Sequence, residues 1–279
     1  MTESFAIVTD DLTKNFGSVR AVNKLNLKIP FGKTYGLLGP NGAGKTTTVR
    51  MLNAIISKTS GNASVGGYDL LTQSEEIKRI CGFLPESPGL YSKLSAREFL
   101  EFIGELYYLP KDVISDRIEE LLELFDLKGR ENDLLEGYSR GMKQKVCICA
   151  ALIQDPEIIF LDEPTSNLDP ATARLVKNLI SELAKKADKT VFICTHLLDS
   201  AEQLCDIIGI IMNGELKIEG TPKEIIESVG AKDLEEAYLK ITGANHIDDL
   251  LAWRDDNSIE NVDNGTKQKK SKKFYKNLR

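Results

Sequence analysis

Gly39-Pro40-Asn41-Gly42-Ala43-Gly44-Lys45-Thr46 sets glycines, one lysine and one hydroxyl at the spacing G-x-x-x-x-G-K-[ST]. The chemistry this spacing serves is phosphate binding. Glycines let successive backbone N–H groups turn inward around phosphate oxygens. A helix starting at Lys45 would add its free N–H donors, Thr47 included, and the positive end of its dipole. Lys45 brings a point charge to β- and γ-phosphates, and the Thr46 hydroxyl suits Mg²⁺. A buried strand, Thr34–Gly39, stands before the loop, which separates it from an ordinary surface turn. The loop alone indicates a nucleoside triphosphate and leaves the reaction open.

A second constellation is a pair of acids. Ile158-Ile159-Phe160-Leu161 is an apolar run that ends in Asp162-Glu163. Charge at the exit of a buried strand is costly without a partner. Beside a phosphate loop that partner is Mg²⁺, held by Asp162. Glu163, one residue on, points elsewhere and suits polarisation of an attacking water.

These residues need a scaffold, and the hydrophobic pattern supplies one. Thr34–Gly39, Glu157–Asp162 and Thr190–Cys194 read as buried strands, with helices predicted from Lys45 through Ile56 and over Ala171–Ala187. Strands alternating with helices imply a parallel α/β sheet. Residues 4–30 alternate apolar and polar and predict antiparallel strands ahead of the glycine turn. Residues 95–153 read as mostly helical. Ser95 with Glu98 forms a capping box, and Ile114, Ile118, Leu121, Leu122 and Phe125 form an amphipathic stripe. Ile207–Met212, Asn213-Gly214 and Glu215–Glu219 read as a hairpin, and residues 221–242 as helical.

Composition narrows the classes. The longest apolar run, Val146–Ile153, falls well short of the roughly 20 residues a membrane helix needs. The N-terminus has no secretory pattern. Five cysteines lie mostly in apolar segments, as buried hydrophobes in a reducing compartment do. The net charge is −6, yet Lys267–Arg279 is basic and holds no acid. The rest is therefore still more acidic, unfit for general nucleic-acid binding. The basic tail reads as a solvated terminus.

Taken together, these motifs resemble the nucleotide-binding subunit of an ATP-binding cassette (ABC) transporter, over about residues 3–220. The resemblance implies a P-loop ABC-ATPase α/β fold with an antiparallel β-subdomain and an inserted helical subdomain. The ATPase domain would span 3–242, the helical insertion about 87–153, and a polar to basic tail 243–279. Phe16 stands where the family stacks an aromatic ring on adenine. Tyr138-Ser139-Arg140-Gly141-Met142 stands where the family has its Leu-Ser-Gly-Gly-Gln signature. Ser139 and Gly141 are kept and would cap the γ-phosphate of ATP bound to the opposite subunit. Arg140 and Met142 depart from the consensus, as in the drug-, antibiotic- and sodium-exporting branch. Glu86 replaces the family's glutamine and would approach Mg²⁺ or the lytic water. Asp169 matches the D-loop, and His196 matches the switch histidine that senses the γ-phosphate.

The resemblance further implies a head-to-tail dimer, of two copies or of this chain with a paralogue. ATP and Mg²⁺ would lie at its interface. The dimer would drive separate ABC-2 type transmembrane permease subunits from the cytoplasmic face of the membrane. Leu90 and Tyr91 would face the permease. A soluble ABC ATPase acting on ribosomes or DNA is the alternative, and the stretch between Glu86 and Ser139 is too short for the coiled-coil arm of such proteins. A non-hydrolysing regulatory subunit is disfavoured by the presence of Lys45, Asp162, Glu163 and His196. A small-molecule kinase would have no use for the signature segment.

Overall fold

A computed structural model describes residues 4–243 except Pro88 and Asn167. The expectations for the tail fall outside the described residues. Two sheets organise the chain. The first is antiparallel, in the order β2-β1-β4-β5, from β1 (Phe5–Phe16), β2 (Val19–Pro30), β4 (Ser60–Val65) and β5 (Tyr68–Asp69). The second has the order β10-β9-β3-β8-β7-β6. Its strands are β3 (Thr34–Leu38), β6 (Cys81–Leu84), β7 (Ile158–Asp162), β8 (Thr190–Thr195), β9 (Ile207–Met212) and β10 (Glu215–Gly220). Five run parallel and β10 pairs antiparallel at the edge.

The parallel strands are largely apolar because both faces are covered. Side chains alternate between two cores. In β7, Ile158 and Phe160 face one core while Ile159 and Leu161 face the other. In β8, Phe192 and Cys194 oppose Val191 and Ile193 in the same way. Tyr35, Phe192 and Phe160 stand in register across three strands, with ring centroids 5.2 and 5.5 Å apart. Each such fully buried side chain contributes roughly 1.5–3 kcal/mol. The first core also takes in the antiparallel sheet and α1 (Lys45–Leu52). A second helix, α2 (Ser74–Ile80), runs directly into β6.

Between β6 and β7 run α3 (Ala96–Leu106), α4 (Lys111–Leu124) and α5 (Arg140–Leu152), joined to the second core. The Ser95–Glu98 capping box starts α3. Ile114, Ile118 and Leu122 are buried along α4, and Phe125 seals its end. After β7 come α6 (Pro170–Lys186), α7 (Leu198–Leu204), α8 (Pro222–Ser228) and α9 (Leu234–Thr242).

Two expectations change. The helix after the phosphate loop ends at Leu52 and does not reach Ile56. The Asn53 amide donates to the Val49 carbonyl at 2.9 Å, and Ala54 turns to φ 52°. This side-chain bond competes with further helical turns. The region 221–242 is two helices, because Val229 and Gly230 break it and Gly230 has φ 59°.

Candidate active site

Four segments converge at the carboxyl ends of the parallel strands, where open α/β sheets bind ligands. β3 leads into residues 39–44 and α1. β6 leads to Glu86, β7 to Asp162 and Glu163, and β8 to Thr195 and His196. Parallel pairing sets Leu38 beside Thr195, and Asp162 beside Cys194. The chemistry-bearing residues are therefore neighbours although far apart in sequence.

A cavity of about 210 Å³ opens there, lined by Asn41–Thr47, Glu86, Asp162 and Glu163, with Ala21 from β2 at its rim. Three carboxylates thus face one ammonium. Gly44 has φ 111°, and a Cβ there would lie 2.5 Å from the Ala21 carbonyl. Only glycine fits both the backbone angle and the gap. Gly44 enters α1 with no side-chain cap, so the first N–H groups are left for a ligand. Lys45 is buried, and its Nζ donates to the Gly39 carbonyl at 2.6 Å and the Pro40 carbonyl at 3.1 Å.

Asp162 is 1% exposed, and its Oδ2 has no hydrogen-bond partner. Burial pushes its pKa up, with help from the charges of Glu86 and Glu163, while Thr46 and Lys45 act against the rise. An orphaned buried carboxylate oxygen calls for a cation or a donor, and a divalent cation fits this donor set. Among the described residues no three His, Cys, Asp or Glu side chains form a metal cage. A cation here would therefore share its shell with phosphate oxygens and water, as Mg²⁺ commonly does.

Glu163 sits in a constrained turn with φ 53°. Its N–H donates to the Cys194 carbonyl at 2.9 Å, and its carbonyl accepts from Ser166 N and Oγ at 3.1 and 2.9 Å. The carboxylate is held at both oxygens. His196 Nδ1 lies 2.7 Å from Oε1, and the Thr195 hydroxyl donates to Oε2 at 3.2 Å. Glu163 and Thr195 are buried, whereas the His196 side chain is 53% exposed. Nothing in the sequence singled out Thr195. Its only signal is a hydroxyl that ends the apolar run Val191–Cys194.

The remaining candidates lie off the cavity wall. Phe16 is half exposed at the end of β1, with Lys14 Nζ 4.9 Å from its ring centroid. Ser139 caps α5, its hydroxyl accepting from Met142 N at 3.2 Å. Gly141 follows on the first turn, near the Leu168 side chain. Asp169 caps α6 through Ala171 N and Thr172 N, both at 3.0 Å, and also bonds the Thr172 hydroxyl.

Comparison with known proteins gives the family. A family model described as ABC transporter matches residues 22–166. The bacitracin transport ATP-binding protein BcrA of Bacillus licheniformis is 41% identical over 83% of this chain and 74% of its own length. NatA, an ABC transporter ATP-binding protein of Bacillus subtilis, is 37% identical over 79% of this chain and 90% of its own. The daunorubicin/doxorubicin resistance ATP-binding protein DrrA of Streptomyces peucetius is 36% identical over 82% and 69%. A solved structure of an ATP-binding subunit of an ABC transporter superposes with TM-score 0.79 at 30% identity, covering 85% of this chain and 99% of that one. A dimeric post-hydrolysis ATP-binding cassette bound to ADP and Pi gives TM-score 0.71 at 26% identity, covering 77% and 98%. With a phosphate loop, a carboxylate pair and a histidine gathered at the carboxyl ends of the parallel strands, the chain belongs to the ATPase subunits of the ABC transporter family.

Proposed function

We propose that the chain powers an exporter as one half of a head-to-tail pair of cassettes, with ATP shared between them. The observation that carries this reading is the one-sided site. The phosphate cavity has Lys45, Glu86, Asp162 and Glu163 on its wall. Ser139, at the N-terminus of α5, is exposed outside it. A second subunit presenting Ser139 and Gly141 would close the cavity over the γ-phosphate. ATP then acts as the interfacial ligand, and closure follows from its differential binding to the paired state.

Within each site Lys45 and the N–H groups of Gly42–Thr47 hold the phosphates, and Phe16 offers its exposed ring to the base. Asp162, Thr46 and Glu86 would hold Mg²⁺, which neutralises charge on the β- and γ-phosphates when bound. Glu163 orients and deprotonates the attacking water. His196 leaves Glu163 Oε1 to contact the γ-phosphate, and its release after hydrolysis reports the loss of that group. Asp169 stiffens the loop that meets the partner.

Among the described residues no helix is long and apolar enough to cross a membrane. In this reading cargo moves through separate permease subunits of the ABC-2 type. A groove of about 570 Å³ beside α3 suits one of their helices, its wall including Leu90, Phe99, Ile103 and Leu106. Tyr91, exposed, tilted against Phe99 and edge-on to Phe102, stands at this face. The relatives named for bacitracin, daunorubicin and doxorubicin point to export of antibiotic-like compounds and to a place on the cytoplasmic face of the membrane. The test is the oligomeric state of Glu163→Gln with and without Mg-ATP. A nucleotide-dependent dimer that disappears in Glu163→Gln/Ser139→Arg is the expected result. Tight ATP binding by a monomer that stays monomeric beside its permease would refute the shared site.

A further inference from the structure

We infer that Thr195 is a positioning residue for ATP hydrolysis: its hydroxyl fixes the Glu163 carboxylate while His196 is free to move. The inference rests on the reading of Glu163 as the residue that acts on water. Thr195 ends β8 at 3% exposure, and its hydroxyl has two partners. Leu197 N–H reaches Thr195 Oγ1 at 3.0 Å, and Thr195 Oγ1 lies 3.2 Å from Glu163 Oε2. An amide N–H can only donate and a carboxylate can only accept, so the hydroxyl proton points at Glu163. The direction of this bond is fixed by its neighbours.

The two holds on the carboxylate differ in kind. His196, more than half exposed, is within reach of a ligand, and its bond to Oε1 can be exchanged for one to phosphate. Thr195 is buried and lies on the strand that pairs with β7, so its bond to Oε2 has no route to exchange. When His196 turns away, Oε1 becomes available to water while Oε2 stays anchored. Without the anchor, a carboxylate on a single turn residue could rotate about its side-chain torsions. A misplacement of about 1 Å can reduce turnover by the order of 10²-fold.

The experiment uses the full chain, with Thr195→Val and Thr195→Ser beside the parent and Glu163→Gln. Steady-state ATPase kinetics give kcat and KM, and a fluorescent nucleotide gives ATP and ADP affinities. Thr195→Val keeps the volume and removes the hydroxyl; it should lose about 10- to 100-fold in kcat with KM and the ATP-to-ADP affinity ratio unchanged. Thr195→Ser keeps the hydroxyl and should recover most of the turnover. In the Glu163→Gln background Thr195→Val should cause no further loss. Normal kcat in Thr195→Val with an inactive Glu163→Gln would overturn the role of Thr195 alone. A Ser variant as impaired as the Val variant would mean packing, not the hydroxyl, matters. A fall in the ATP-to-ADP ratio would mean that Thr195 acts through the Leu197 turn and His196. Full turnover in Glu163→Gln would remove the reading of Glu163, and this inference with it.

Discussion

Glu163 Oε1 and His196 Nδ1 lie 2.7 Å apart, joining the ends of two adjacent parallel strands. The contact links the residue proposed to act on water with the one proposed to read the γ-phosphate. Removing the imidazole should therefore have two separable effects. His196→Ala loses the group that would position the γ-phosphate for attack, and kcat should fall by about 10²-fold. It also loses a hydrogen bond to a charged phosphate, worth about 1.5–3 kcal/mol. ATP affinity should accordingly fall at least tenfold while ADP affinity holds. Equilibrium binding of both nucleotides checks this, and an equal loss for ATP and ADP would contradict the assignment.

Asp162 predicts a conflict between stability and function. Burial holds its pKa above the ordinary carboxylate value. The folded state thus binds its proton more tightly than the unfolded state does. Wherever the pH lies above both values, the charged carboxylate lowers stability. As pH falls through the folded-state pKa, the native protein is protonated first and the penalty fades. In the absence of nucleotide and divalent cation, Asp162→Asn should melt at a higher temperature than the parent at pH 7. The difference should shrink on acidification. Thermal unfolding of both proteins across that range is the measurement. A lower Tm for Asp162→Asn at pH 7, or a gain that grows as pH falls, would show that the carboxylate is not under desolvation strain.

Local sequence encodes some of these elements and not others, for a physical reason. The phosphate loop, Asp162-Glu163 and the strands around them were legible because their chemistry or full burial restricts residue type at fixed positions. The Ser95–Glu98 capping box was legible for the same reason. The strands β4 to β6 were not. Ser60–Val65 and Tyr68–Asp69 are short and largely half-exposed, so alternation has too few apolar positions to register. Cys81–Leu84 is a four-residue edge strand containing a glycine, which by local pattern is a loop. Its pairing with β7 provides what its sequence does not. Thr195 escaped notice because its role depends on Glu163 and Leu197, and no local signal encodes that geometry.

The cysteines give a prediction independent of nucleotide. Cys81, Cys147, Cys149, Cys194 and Cys205 are all buried. Burial raises every one of these thiols, Cys147 and Cys205 to about 12. The thiolate is the reactive form. An ordinary thiol speeds up steeply between pH 7 and 9 as it ionises, whereas these should stay slow across that range. A chromogenic disulfide reagent should label the native chain slowly and all five sites at once in denaturant. Cys81 and Cys147 both line the groove beside α3, and Cys147, the less strongly raised of the two, should react before Cys81 in the native protein. Prompt labelling of Cys194 or Cys149 would mean that the cores are open to solvent.

The hairpin between β9 and β10 supports the phosphate loop from outside, and a single residue tests it. Gly214 N–H donates to the Ala43 carbonyl at 2.9 Å, and the Gly214 carbonyl accepts from Asn23 N–H at 2.8 Å. The Asn23 side chain adds a bond to Glu215 at 2.7 Å. One turn residue thereby ties the loop to β2, whose Ala21 reaches the cavity. Gly214 has φ 80°, and a Cβ there would lie 2.9 Å from the Ala21 carbonyl oxygen and 3.1 Å from its carbon. A side chain would be strained in both respects, since neither contact is the flexible end of a side chain. Strain of this kind costs about 1–3 kcal/mol. Relief would come from pushing the turn away from Ala43, which loosens the backbone cradle. Gly214→Val should weaken ATP and ADP binding together, about tenfold, because both use the same loop. It should leave the ATP-to-ADP ratio near that of the parent, in contrast to His196→Ala. Nucleotide titrations of the two variants side by side separate loop geometry from γ-phosphate sensing. Unchanged affinity in a folded Gly214→Val chain would show that the cradle holds its shape without the hairpin.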